Sequence, residues 1–241
     1  DKALQMRELI VTDLIGEGKV GHLGGSCSSA DIVAALYFHK MKHDPKDPKN
    51  PDRDRFLLSK GHAALVQYAA LALAGYFPQS ELKKVKSLGA MLQGHPDMTK
   101  TPGIEANTGS LGQGLSIANG MALGLRLDGS KRRVYVIVGD GEQAEGQIWE
   151  AAMAASNFRI DNVTAIVDCN RLQATGAIID RFDLNPIRQK WEAFGWNTIE
   201  VNGHDVSALL EAFDAAEQVK AHPTVILAQT VKGKCISFAE N

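Results

Sequence analysis

The second half of the chain alternates apolar strand with amphipathic helix, and this pattern constrains the fold most. RVYVIV (residues 133–138) and NVTAIVD (162–168) are short, continuous apolar runs rich in β-branched residues. Such runs suit strands covered on both faces. Between them, GQIWEAAMAASNF (146–158) reads as a crossover helix. WNTIEV (196–201), a helix from about Val206 to Val219, and TVILAQT (224–230) continue the alternation. Strands separated by helices imply an α/β fold, a parallel sheet with helices on both faces.

The first half supplies more helices. ALQMRELIVTDLIGE (3–17) has helical spacing, and SADIVAALYFHKM (29–41) follows with Ser29 as its expected N-cap. RFLLS (55–59) reads as a short strand and GHAALVQYAALALAGY (61–76) as a buried helix. SELKKVKSL (80–88) reads as a short exposed helix, and LGQGLSIANGMALGLRL (111–127) as a helix with small residues on one face. HDPKDPKNPDRDR (43–55) is a polar loop inside the domain. Residues 89–114 form a long irregular stretch, which in a compact chain is usually functional. Residues 1–241 are expected to form one domain.

At 44% hydrophobic and 22% charged residues, with a net charge of -2, nothing points to a nucleic-acid partner. No apolar run approaches the ~20 residues of a membrane span. Cys27, Cys169 and Cys235 are odd in number and far apart. They fit a reducing compartment, so the expected location is cytoplasmic.

Chemistry concentrates in VYVIVGDGEQAEG (134–146). Gly139, Gly141 and Ala144 match G-x-G-x-x-A, and Asp168 stands where a ribose-binding acid would sit. The charges oppose that dinucleotide reading. Asp140 and Glu142 would both lie beside a pyrophosphate. At roughly 4 Å, like charges cost on the order of several kcal/mol at an effective dielectric of 20. A divalent cation resolves the conflict: Asp140 and Asn170 each follow a strand, on one carboxyl edge if those strands are neighbours. A carboxylate, an amide oxygen, a backbone carbonyl and two phosphate oxygens suit Mg²⁺. The plain alternative is an N-capping aspartate with Asn170 in a turn.

GDG followed about thirty residues later by Asn170 resembles the thiamine diphosphate motif. GHLGGS with His22, LSKGHAALVQY with His62, QGHPD with His95 and NTGSLGQGLS (107–116) narrow the resemblance to transketolase. The motifs run in order over almost the whole chain. The resemblance is to the diphosphate-binding domain alone. It implies the N-terminal subunit of a split transketolase, transferring a two-carbon ketol unit from a ketose to an aldose. A second subunit would supply the pyrimidine-binding and C-terminal domains, with two copies of each chain.

Residue by residue, the resemblance implies that Asp140, Asn170 and the Leu172 carbonyl hold Mg²⁺ or Ca²⁺. His22, His62 and His95 would be catalytic, with His62 also touching the diphosphate. The remaining cofactor contacts would be Ser110, Leu111, Gly139, Gly141, Glu145 and Asn170. Glu145 and Glu150 would lie where paired subunits meet.

Several positions depart from the single-chain pattern: Leu23, Ser110, Cys169 and Ala174. A further family histidine is not among these residues, and Lys232 is a weak phosphate candidate. The family's activating glutamate lies on the pyrimidine domain, so the chain alone is expected to be inactive. Competing readings are another thiamine diphosphate-dependent component, a Rossmann-type dinucleotide module and a non-catalytic subunit. His39, His43, His204 and His222 are read as surface or hydrogen-bonded side chains, with His204 set apart by its tight turn, VNGHD.

Overall fold

The computed structural model describes residues 1–16, 21–174 and 176–241. Strands β1 (Arg55–Leu58), β2 (Val134–Gly139), β3 (Val163–Cys169), β6 (Asn197–Asn202) and β7 (Thr224–Gln229) form one sheet in the order β1-β2-β3-β7-β6. All its pairs are parallel, as the alternation predicts. Val134 pairs with Val163 and Gly139 with Asp168, so the strands preceding Asp140 and Asn170 are neighbours in register.

Side chains alternate across the sheet with period two. Tyr135, Ile137 and Ile166 face one core, with helices α1 (Lys2–Leu9), α3 (Ala30–Ala35), α4 (Ala64–Ala74) and α9 (Val206–Gln218). Val134, Val136, Val138 and Val167 face the other, with α5 (Gln113–Leu127), α6 (Gly146–Asn157) and α8 (Ile187–Ala193). Burial on both faces explains the continuous apolar runs. Helix α1 continues over Ile10–Leu14 in a wider turn; Glu17, the last residue of the expected helix, lies outside the described residues.

Some local expectations differ. Ser29 precedes α3 but does not cap it with its side chain. Its hydroxyl instead donates to the Gly25 carbonyl and to Asp168, since a buried carboxylate makes a strong, charge-assisted acceptor. Residues 80–88 make only a short turn of tight helix, Gln79–Lys84. Helix α2 (Leu23–Ser28), the hairpin β4 (Leu172–Gln173) and β5 (Gly176–Ala177), helix α7 (Ile178–Arg181) and α8 are additions. Among the described residues no helix is long and apolar enough to cross a membrane.

Candidate functional site

Parallel strands put all their carboxyl ends on one edge, and the chain's polar motifs gather there. Beyond β1 come Ser59 and Lys60, beyond β2 Asp140, beyond β3 Asn170 and beyond β7 Thr230. Underneath lies a buried ion pair. Lys60, 2% exposed, donates to Asp168, which is fully buried. Ser28 (2.6 Å), Asn170 Nδ2 (3.0 Å) and Thr230 (2.5 Å) also donate to Asp168. Burial pushes the Asp168 carboxyl up, but Lys60 and these hydroxyls outweigh it and hold it below its usual range. Asp168 is therefore spent on the interior and cannot reach a ribose, which removes the dinucleotide reading's acid.

The two carboxylates of the acidic turn part ways. Glu142 turns inward and accepts from Ser59 Oγ (2.5 Å), Gly112 N–H (2.9 Å) and Gly139 N–H (2.9 Å). It ties the ends of β1 and β2 to the 109–112 loop. Only Asp140 stays at the edge, so the expected crowding of two charges beside a ligand does not arise. Asp140 accepts from Gly141 N–H (2.8 Å) and Arg171 N–H (2.5 Å). Burial, then Asp168, push its carboxyl up to about 6. Asp140 thus caps the short helical turn that follows β2, as its plain reading expects.

Whether this edge fits a metal follows from its donors. They are oxygen atoms: the Asp140 carboxylate, the Asn170 amide and the Leu172 carbonyl. Such a set suits a hard divalent cation and not a soft one. Asp140 is a buried carboxylate whose burial and nearby Asp168 outweigh the charge of Lys60. The Lys232 ammonium rests on the Leu172 (3.4 Å) and Gln173 (2.9 Å) carbonyls, a cation at this same edge. Among the described residues no three of His, Cys, Asp and Glu converge on a metal by themselves. A metal here would need a mixed set completed by ligand oxygens.

The predicted histidines come together. His22 and His62 meet edge to face with centroids 5.1 Å apart. His95 lies close enough for its charge to bear on both. Burial, then Lys60 and the neighbouring histidines, push His62 down to about 4. Burial and Lys86 lower His22. Both imidazoles are neutral at pH 7 and able to accept a proton. Gly25 leaves the space before them open: a Cβ there would stand 3.7 Å from His62 Nε2.

The other predicted contacts are placed less directly. Ser110 and Glu145 are exposed and Leu111 half-buried, at the rim formed by the 108–112 loop and the start of α6. The Gly139 N–H is taken by Glu142 and the Gly141 N–H by Asp140. Gly141 matters here for space, since a Cβ would lie 2.8 Å from Gln173 Cγ.

Sequence reasoning passed over Lys60, Gln143 and the reach of Lys232, and weighed Glu142 only as a charge beside a ligand. Lys60 and Glu142 lie inside quoted motifs, but their partners are distant in sequence. Buried Gln143 is gripped by tryptophans: Trp149 Nε1 donates to its carbonyl (2.9 Å) and Trp191 Nε1 to its Oε1 (2.7 Å). Trp149, Trp191 and Trp196 pack as one cluster, with neighbouring centroids 5.3 and 4.8 Å apart.

Compared with known families, residues 1–241 match the transketolase, thiamine diphosphate binding domain. The chain belongs to the transketolase family. The 6-deoxy-6-sulfo-D-fructose transketolase subunit SqwG of Clostridium sp. (strain MSTE9) is 47% identical over 226 residues, 94% of this chain and 82% of that protein. An apulose-4-phosphate transketolase subunit from Actinobacillus succinogenes is 42% identical over 239 residues, 99% of this chain and 86% of that protein. A crystal structure of a transketolase variant from Pichia stipitis superposes with a TM-score of 0.92 at 34% identity, covering 97% of this chain and 36% of that one. Transketolase from Leishmania mexicana gives 0.90 at 34% identity, with 97% and 37% covered. The chain thus spans about a third of the solved transketolases and over four-fifths of the two subunit relatives. Within the family it falls with subunits of thiamine diphosphate-dependent, ketol-transferring enzymes.

Proposed function

We propose that this chain is the diphosphate-binding subunit of a two-chain cytoplasmic transketolase. It works with a second subunit carrying the pyrimidine-binding and C-terminal domains, two copies of each chain making the enzyme. The observation that carries the reading is the carboxyl edge itself. One buried aspartate with a raised carboxyl, an oxygen-only donor set and two neutral histidines stand together there. Asp140, Asn170 and the Leu172 carbonyl would hold Mg²⁺ or Ca²⁺, which would supply positive charge at the diphosphate end. His62, Ser110, Leu111, Gly139, Gly141, Glu145 and Asn170 line the cofactor, and Lys232 adds a cation at the diphosphate end.

When bound, thiamine diphosphate supplies the electron sink for breaking a bond beside a ketose carbonyl. The chain's own residues position and move protons. His22 and His62, uncharged at neutral pH, and His95 beside them accept and return protons of substrate hydroxyls. Both of the relatives above carry anionic sugars in their names, so a phosphorylated or sulfonated sugar is the substrate class this reading favours.

Calorimetric titration with thiamine diphosphate and Mg²⁺, with and without the partner chain, tests the reading. Metal-dependent binding should strengthen with the partner and be lost in Asp140→Ala. Binding indifferent to metal and to Asp140 would overturn it.

A further inference from the structure

His204 lies outside the histidine group, in the turn between β6 and α9, yet both of its ring nitrogens are engaged. The Val231 N–H donates to Nε2 at 2.9 Å. Nε2 therefore carries a bare lone pair, and the ring proton sits on Nδ1, facing Asp31 Oδ2 at 2.7 Å. Asp31 also receives Arg7 at 2.5 and 3.3 Å, and Arg7 reaches back to the Cys27 carbonyl. Burial pushes the Asp31 carboxyl up, but the bonds from His204 and Arg7 outweigh it and hold it low and charged. The imidazole is thus locked as one neutral tautomer, with its acceptor end aimed at the backbone.

That backbone leads directly to the metal edge. Thr230 is tied to Asp168, Val231 to His204, and the Gly233 N–H to the Gly24 carbonyl at 3.1 Å. Between them Lys232 arches over Gly24, where a Cβ would meet its Cγ at 2.8 Å, to reach the Leu172 and Gln173 carbonyls. The tie immediately before Lys232 is the one His204 makes. A lysine stem has many rotamers, so its direction depends on how firmly its backbone is held.

We infer that His204 is a positioning residue for the diphosphate end of the site: as the Nδ1–H tautomer it fixes Val231 and so aims Lys232. This rests on the thiamine diphosphate reading above. His204→Asn keeps a donor for Asp31 near the Nδ1 position and removes the acceptor for Val231. His204→Gln brings an amide oxygen near the Nε2 position and gives up the Asp31 donor.

Nitrogen-15 NMR of the chain reads the tautomer and the exchange of the Val231 amide. Calorimetry with Mg²⁺ and thiamine diphosphate, the partner chain present, reads the site. The wild type should carry its proton on Nδ1 and protect the Val231 amide. His204→Asn should speed that exchange and weaken cofactor binding, each on the order of tenfold, the equivalent of one lost hydrogen bond. His204→Gln should recover part of both. A proton on Nε2, or His204→Asn leaving exchange and binding unchanged while the wild type binds, overturns the positioning role alone. A wild type that binds no cofactor overturns the reading beneath it as well.

Discussion

Lys60 and Asp168 form an ion pair that water does not reach, and its worth lies in what happens when half is removed. Lys60→Ala leaves a fully buried carboxylate with hydroxyl and amide donors but no counter-charge. Urea unfolding at pH 7 should show a loss of about 3–5 kcal/mol. His62 makes a second prediction at this scale. Its imidazole is pushed down to about 4 in the fold against 6.5 unfolded. Its contribution is fully present above pH 6.5 and is lost as pH falls through that value towards 4, by at most about 3 kcal/mol before solvent screening. The urea midpoint should therefore drop between pH 7.5 and 5, and drop less in His62→Gln. His22, shifted the same way, keeps part of the slope. Asp140, Asn170 and the three histidines were legible in the sequence because each sits beside glycine or at a strand end. Glu142 was misplaced there, since nothing local says which way a carboxylate turns. Its donors come from Ser59, Gly112 and Gly139, in three separate segments.

Among the elements, the turn after β1 and the 108–114 loop are pressed together through glycine. A Cβ on Gly61 would sit 2.6 Å from the Gly109 nitrogen and from the Thr108 carbonyl carbon, backbone that cannot step aside. Gly61→Ala should cost about 1–3 kcal/mol by overpacking and loosen the loop that carries Ser110 and Leu111. Gly120 in α5 is the contrasting case, with nothing within 4 Å of its Cβ position. Gly120→Ala should stabilise the isolated chain by about 0.5–1 kcal/mol. Thermal melts of the two variants side by side check both signs. The strands and long helices could be read ahead because burial on two faces or one writes a period into the sequence. The β4–β5 hairpin and α7 could not. They span two to four residues each, too few for any period, and contacts elsewhere place them.

For the whole molecule, α5 and α6 pack side by side, and large apolar side chains stand out among polar ones at their outer ends. Leu127 is 87% exposed, with Met153 and Phe158 about half exposed beside it. Exposed apolar surface of this kind marks an interaction site, and Glu145 and Glu150 rise from the same helix, α6, and its cap. On the two-chain function proposed above, it is the surface the partner chain covers. Met153→Glu combined with Leu127→Glu should leave the melting temperature of the isolated chain nearly unchanged and weaken association with the partner, as read by analytical ultracentrifugation. Retained association would place the interface elsewhere. The tryptophan cluster carries a different kind of consequence. The chain has only three tryptophans; two bond to Gln143 and the third, Trp196, packs on Trp191, and the Gln143 amide leans on the Asp140 carbonyl at 3.4 Å. Its near-ultraviolet emission therefore originates at one place, a few ångströms behind the acidic turn. The rings are close enough to share their excitation. The unlabelled protein thus carries its own lamp, placed to flicker when the turn takes up a ligand and blind to events at the far end of the sheet.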